Sequence, residues 1–221
     1  MEIITAKKTA VLYGATGLVG QELLRRLLDH PAYDRVIAPG RRKVPGTHPK
    51  LEALVVDFTQ LGKWTQELAG HDVFIALGTT IKKAGSAEAF RRVDYQFVLD
   101  AAAVGKAGGA NQVLLVSSAG ADPTSSVLYP CTKGEAEEAV KALEYWATYI
   151  FRPGVLIGDR EEFRFGEKVM IGLSKVAALI KPDLLGDYSG TRAGYLAGRM
   201  IALAQRVEPG VHVVGAASLA R

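Results

Sequence analysis

Residues Val11 to Gly20 read VLYGATGLVG, and no other stretch constrains the fold as strongly. An apolar run, Ala10 to Tyr13, stops at Gly14, and a helical pattern of Leu18, Leu23, Leu24, Leu27 and Leu28 follows at once. That order predicts a strand, a tight turn and a helix, with glycines at 14, 17 and 20. Gly14 permits a turn that most residues cannot make. Gly17 leaves room for backbone to approach a pyrophosphate, and Gly20 lets the helix pack close to the strand. The unpaired N–H groups of the first helical turn then face the phosphates. A tight strand-to-helix turn that binds nothing would show the same glycines; the setting favours the dinucleotide site.

Further short strands follow in order. Arg35 to Ala38 is the second, and it ends in Pro39-Gly40-Arg41-Arg42-Lys43. An NAD-preferring fold places an acid here on the ribose hydroxyls. Two arginines stand instead, and guanidinium groups match a 2′-phosphate in charge and geometry, which favours NADP(H) over NAD(H). Leu54 to Val56 is the third strand, and Asp57 after it either caps the next element or approaches the adenine. Asp72 to Leu77 is the fourth, followed by Gly78-Thr79-Thr80 where an open α/β sheet binds ligand. A long helix is predicted over residues 86–104, with Phe90, Val93, Phe97, Ala101 and Val104 near helical periodicity and Ser86 as its cap. Gln112 to Val116 is the fifth strand and leads into Ser117-Ser118-Ala119-Gly120. A helix from about residue 126 to 144, with Pro130 near its start, precedes the strand Tyr149 to Phe151. Helices at 166–180 and 191–206 and a last strand at Val211 to Val214 complete the chain. The alternation predicts one doubly wound α/β domain over residues 1–221, a parallel sheet with helices on both faces (a Rossmann fold). A small extension from about residue 156 onward is expected on the substrate side.

Composition narrows the function classes. The chain has 221 residues, 48% hydrophobic and 23% charged, with a net charge of +4. Its basic residues are interspersed with acids and form no basic–aromatic platform, so nucleic acid is not an expected partner. No apolar run approaches the roughly 18 residues of a membrane span, so no membrane partner is expected. The opening MEIITAKKTAVLYG lacks the apolar core and cleavage site of a signal peptide, so a cytoplasmic chain is expected. One cysteine, Cys131, excludes an internal disulfide framework, and the four histidines match no metal-ligand spacing.

Tyr129 and Lys133 stand four apart on a predicted helix and share one face, and Ser118 ends the preceding strand. A parallel sheet brings these elements to the carboxyl edge that carries the glycine turn. A tyrosine is a poor acid–base group at neutral pH, and a nearby ammonium favours its phenolate. The lysine can also hold a nicotinamide ribose, while the serine donates to a carbonyl oxygen that gains charge as hydride arrives.

With the glycine turn, four blocks carry a family resemblance: LGTTIKKAGSAEAFRRVDY (77–95), SSAGAD (117–122), YPCTKGEAE (129–137) and FRPGVLIGDREEFRFGE (151–167). The chain resembles the short-chain dehydrogenases/reductases of the atypical or extended kind, and more narrowly the Tat-interacting-protein-like NAD(P)-binding oxidoreductases. The resemblance implies that Gly14, Ala15, Thr16, Gly17, Leu18 and Val19 cradle the pyrophosphate and that Arg41 and Arg42 take the 2′-phosphate. It places Leu77, Gly78 and Thr79 on the adenosine side and Pro153, Gly154 and Val155 at the border of the nicotinamide; Asp57, Ser117 and Lys133 are expected cofactor contacts as well. Ser118, Tyr129 and Lys133 would be the catalytic set. The family's DRxExRxGE pattern is present as Asp159, Arg160, Glu162, Arg164, Gly166 and Glu167, shaping a substrate mouth or forming a salt-bridge cluster. One departure stands out: extended reductases often carry asparagine where this chain has Asp94, which puts a full proton relay in doubt.

The expected function is NADP(H)-dependent hydride transfer to or from a small carbonyl or alcohol. The alternative is an NADP(H)-binding sensor acting through a regulatory protein partner, as in NmrA-like regulators. A homodimer through an exposed helix face would suit either. The opening stretch is also similar to semialdehyde dehydrogenases, which use a cysteine nucleophile, but Cys131 has no histidine near it in sequence. Phe163, Phe165, Met170, Leu173 and Leu184 are candidates for an apolar substrate wall or for core.

Overall fold

Short β-branched and apolar runs, each ended by glycine or a polar turn, become the strands of one parallel sheet. A computed structural model describes residues 7–158, 190–206 and 208–219. In chain order, β1 (Lys8–Tyr13), α1 (Leu18–Asp29), β2 (Tyr33–Gly40) and β3 (Leu51–Val55) are followed by a 3-10 segment at Phe58–Trp64 and β4 (Asp72–Ile75). Next come α2 (Ile81–Ala84), α3 (Ala87–Arg91), a π-helical turn at Arg92–Gln96 and α4 (Phe97–Ala107). Then follow β5 (Gln112–Val116), α5 (Leu128–Lys141), β6 (Ala147–Phe151), β7 (Leu156–Ile157), β8 (Thr191–Arg192), α6 (Ala193–Ala204) and β9 (Gly210–Val214). The main sheet has seven strands in the order β3-β2-β1-β4-β5-β6-β9, and every pairing in it is parallel. β7 and β8 form a separate parallel pair that the sequence did not suggest.

The doubly wound expectation is borne out. Strand order reverses between β1 and β4, so a crevice opens at their carboxyl ends, the place where such sheets take ligands. Alternate residues of β1 serve opposite faces. Ala10 and Leu12 join a core with Leu23, Leu27, Phe74 and Met200 under α1 and α6. Val11 and Tyr13 join the other, with Ile75, Ala101, Leu115 and Val140 under α4 and α5. α6 packs on α1 and β9 extends the sheet beside β6, so the described part of the C-terminal stretch completes the layers. The helix expected at 166–180, the DRxExRxGE residues and the apolar candidates from Phe163 to Leu184 lie outside the described residues.

At the opposite end of the strands, Asp72 is buried and satisfied by three donors. Tyr33 Oη lies 2.6 Å and Lys8 Nζ 3.2 Å from one carboxylate oxygen, and Gln112 Nε2 lies 2.9 Å from the other. Gln112 also donates to the Ala204 carbonyl, tying the end of α6 to the sheet.

The long helix is where local reading and structure part. Ser86 caps it as expected, accepting from the Ala89 N–H at 3.0 Å. A π turn then lies at Arg92–Gln96, and burial around it differs from the expected stripe, although Ala101 and Val104 are buried as expected. Val93 and Phe97, expected inside, are only half-buried, while Asp94 and Val98 take the buried positions.

Candidate functional site

The glycine turn is built by backbone contacts. Gly14 has φ +85°, and a Cβ on it would sit 2.4 Å from the Ala76 carbonyl oxygen at the end of β4. A Cβ on Gly20 would lie 1.9 Å from the Gly14 carbonyl oxygen, so α1 touches the turn itself. Gly17 differs. Its φ is −79°, and its Cβ would meet nothing closer than the Gly14 oxygen at 3.3 Å, so the chain's own packing does not demand glycine there. Gly17 is the N-cap of α1, without a side-chain cap or an acid in the first turn. The N–H groups of that turn, with Ala15, Thr16, Leu18 and Val19 around them, are therefore available to an anion. A pyrophosphate fits this cradle.

Arg41 and Arg42 follow β2, are exposed, and enter none of the ion pairs among the described residues. Val44 behind them is buried in the α1 core. A shallow depression joins Ala15 and Thr16 of the glycine turn to Val44, two residues beyond Arg42 in the chain, and to Pro45. Asp57 takes the capping role. Its Oδ1 accepts from the Thr59 N–H at 2.9 Å and the Thr59 hydroxyl at 2.8 Å, bonds that hold its carboxyl below the usual range.

Leu77, Gly78 and Thr79 leave β4 at the switch point. The Thr79 N–H donates to Asp94 Oδ2 at 2.9 Å, and Asp94 Oδ1 lies 2.7 Å from Lys133 Nζ. Both side chains are buried, at 7% exposure for Lys133 and 1% for Asp94. A Cβ on Gly78 would lie 3.8 Å from the same ammonium, so the β4 turn and the α5 lysine meet. Burial acts to lower the lysine's pKa. The charge of Asp94, aided by Tyr129, more than offsets it, and Lys133 is held above its usual value. Tyr129, one turn earlier on α5, is half-buried and stacks on Phe90 with ring centroids 5.7 Å apart.

Ser118 is half-buried in the loop after β5, its hydroxyl 3.2 Å from the Ala119 carbonyl. That loop is tied to the β6 exit: the Ala119 N–H donates to the Pro153 carbonyl at 2.8 Å. Gly154 follows, and the Val155 carbonyl accepts from Thr191 at 2.8 Å. The Ser117 hydroxyl is engaged elsewhere, donating to the fully buried Glu137, whose carboxylate also takes Arg152 Nη2 at 2.6 Å and Nε at 3.0 Å. Glu137 and Arg152 were given no role from the sequence. The signal was there for Glu137, since it continues the Tyr129–Lys133 face by one more turn. A Cβ on Gly134 would fall 2.2 Å from the Pro123 nitrogen, so this glycine lets the loop after Ser118 lie directly on α5.

Cys131 is not an activated nucleophile. Its sulfur faces the Pro123 carbonyl and the Glu135 carboxylate, and partial burial with that carboxylate pushes the thiol up.

An open helix terminus at the switch point and a buried lysine beside a tyrosine on the same sheet edge define a dinucleotide-binding α/β protein. A family model described as NAD(P)H-binding matches residues 14–167, and the chain belongs to that family. Protein HTATIP2 of Rattus norvegicus is 43% identical over 164 residues, covering 72% of this chain and 67% of that protein. Protein FMP52-2, mitochondrial, of Scheffersomyces stipitis is 35% identical over 219 residues, covering 94% of both. Among solved structures, MoeE5 in complex with UDP-glucose and NAD aligns with a TM-score of 0.68 at 16% identity, over 96% of this chain and 79% of that one. The dTDP-4-dehydrorhamnose reductase of Bacillus anthracis in complex with NADP aligns at 0.66 and 17%, over 95% and 75%. At such identities the likeness is one of fold.

The cytoplasmic expectation is corrected by these relatives. FMP52 proteins of several fungi, at 34–39% identity, are named mitochondrial. A test for an apolar leader speaks only to secretion; mitochondrial addresses are amphipathic and arginine-rich, and that test does not see them. Among the described residues, no helix is long and apolar enough to cross a membrane.

Proposed function

We propose that this chain is an NADP(H)-dependent oxidoreductase that transfers hydride between the nicotinamide and a small carbonyl or alcohol. The observation that carries the reading is the Lys133 ammonium, buried beside Tyr129 on the sheet edge that also holds the open terminus of α1. The nicotinamide, when bound, supplies or accepts the hydride. The chain's own part is the proton and the geometry. In the reducing direction the Tyr129 hydroxyl gives its proton to the carbonyl oxygen, Ser118 donates a hydrogen bond to that oxygen, and Lys133 offsets the phenolate left behind. Solvent then reprotonates Tyr129. In the oxidising direction the proton returns by the same route.

Consumption of NADPH with a panel of small aldehydes and ketones tests the reading. Tyr129→Phe should lower turnover by about 10² to 10⁴ while leaving NADPH affinity unchanged. Equal turnover by the variant removes Tyr129 as the acid. NADPH binding without consumption by the wild type favours the sensor with a protein partner.

The preference for NADP(H) rests on Arg41 and Arg42, which enter no ion pair among the described residues, and is tested separately. Replacing both by alanine should weaken NADPH binding by about tenfold or more, the scale of losing charge-assisted bonds to a phosphate, and leave NADH binding in place. Equal losses for the two cofactors would remove the 2′-phosphate role.

A further inference from the structure

We infer that Asp94 is a positioning residue of the site: it supplies the counter-charge for the buried Lys133 ammonium and clamps the Gly78–Thr79 turn beside it. The inference rests on the proposed function in one respect, that Lys133 serves the nicotinamide ribose. Three features of the structure carry it. The two side chains meet at 2.7 Å with almost no exposure, so their charges are shielded by protein and not by water. The second carboxylate oxygen takes the Thr79 N–H at 2.9 Å, so one side chain holds both the lysine and the loop at the switch point. And Asp94 lies within a π turn, Arg92–Gln96, as its one buried residue. Such turns cost regular hydrogen bonding and are frequent at functional sites.

Among the described residues, the charged and titratable groups facing Lys133 come from two elements. Tyr129 and Glu137 share its helix, and Asp94 comes from the π turn. Glu137 is already committed to Arg152 and Ser117, which leaves Asp94 as the carboxylate in contact with the ammonium. An ammonium has three donors. Asp94 holds one direction and leaves the others for the ribose hydroxyls. A buried lysine with no counter-charge sheds its proton, because burial penalises the charged form.

Asp94→Asn retains an oxygen for Thr79 and removes the charge. NADPH binding, followed by nucleotide fluorescence between about pH 6.5 and 9.5, separates the roles without turnover. Wild-type affinity should stay level, since Lys133 is held above its usual value and remains protonated throughout. In Asp94→Asn the charge that offsets burial is gone, so the lysine should hold its proton less tightly and affinity should fall by about tenfold as pH rises, the difference between a charged and a neutral donor. Lys133→Met should bind weakly and show no such fall. Superposable wild-type and Asp94→Asn profiles would overturn the inference. A thermal melt at neutral pH supplies a reading that needs no cofactor. Asp94→Asn should melt lower than wild type, and adding Lys133→Met should restore part of the loss by removing the orphaned charge. If the wild type binds neither NADPH nor NADH, the proposed function fails on its own account. The melts then decide: equal melting of the single and double variants overturns the coupling, and partial restoration upholds it.

Discussion

Gly20→Ala is expected to dismantle the dinucleotide turn and to cost about 3 kcal/mol or more of stability. The added methyl would lie 1.9 Å from the Gly14 carbonyl oxygen and 2.7 Å from its carbon, both backbone atoms that cannot rotate away. Gly14 cannot yield, because its own Cα faces the Ala76 carbonyl across the switch point. The first turn of α1 must therefore lift off β1, exposing Val19 and Leu23 of the core and turning its N–H groups away from a phosphate. NADPH affinity should drop by about a hundredfold or more, roughly two charge-assisted hydrogen bonds. Gly17→Ala is the control. Its backbone is ordinary and its nearest neighbour lies at 3.3 Å, so the melt should move by about 1 kcal/mol or less while the methyl obstructs the pyrophosphate. Thermal denaturation and NADPH titration of both variants check this. Equal destabilisation of the two would mean that Gly17 is also a packing residue.

The contrast between these glycines shows what sequence carries and what it omits. The β1–turn–α1 unit was legible because an apolar run, three glycines and a leucine stripe all name one local geometry. Most strands were legible for the same reason, as short buried runs with clear punctuation. The division of labour among the glycines was legible as well; what was not is the partner that makes Gly14 obligatory, the Ala76 carbonyl just after β4. The π turn was invisible too. Phe90, Val93 and Phe97 satisfy helical periodicity, and nothing in their spacing reports such a turn. The backbone reveals it, with the Phe97 N–H reaching back to the Arg92 carbonyl. A charged residue inside an apolar helix was the available sign, and it points to a partner elsewhere in the chain.

The candidate site divides along the same line. Tyr129 and Lys133 could be paired from helix geometry alone. The supports behind them come from distant segments: Asp94 from the π turn, Thr79 from the loop after β4, Arg152 from just beyond β6. Gly134 belongs with these. Its lack of a side chain makes room for Pro123, and that close approach sets the loop that carries Ser118 onto the helix that carries Tyr129.

Glu137 is the support whose loss should be felt most widely. Its carboxylate is fully buried and joins three segments of the site: it accepts the Ser117 hydroxyl at the end of β5, holds Arg152 at the exit of β6, and rides on α5 below Lys133. Glu137→Ala leaves a guanidinium and a hydroxyl without their partner. Breaking a buried pair on one side costs about 3 to 5 kcal/mol, and because Arg152 can regain some water the lower end applies, about 3 kcal/mol. For a chain of this size that is a melting decrease of about 6 to 12 °C. Glu137→Gln should fall between wild type and alanine, since it keeps the shape and one acceptor but cannot pair with Arg152 as a charge. Arg152→Met added to Glu137→Ala should recover part of the loss, because most of the cost lies in the orphaned cation and not in the missing contact. NADPH affinity and turnover, measured below the melting range, should fall with Glu137→Ala as Ser118 and the Pro153–Val155 edge lose their anchor. A Glu137→Ala variant that melts with the wild type would show that Arg152 and Ser117 find other partners. The main-chain bonds from Ser117 to Phe151, from Ala119 to Pro153 and from Asp122 to Pro130 would then suffice to hold the three segments together.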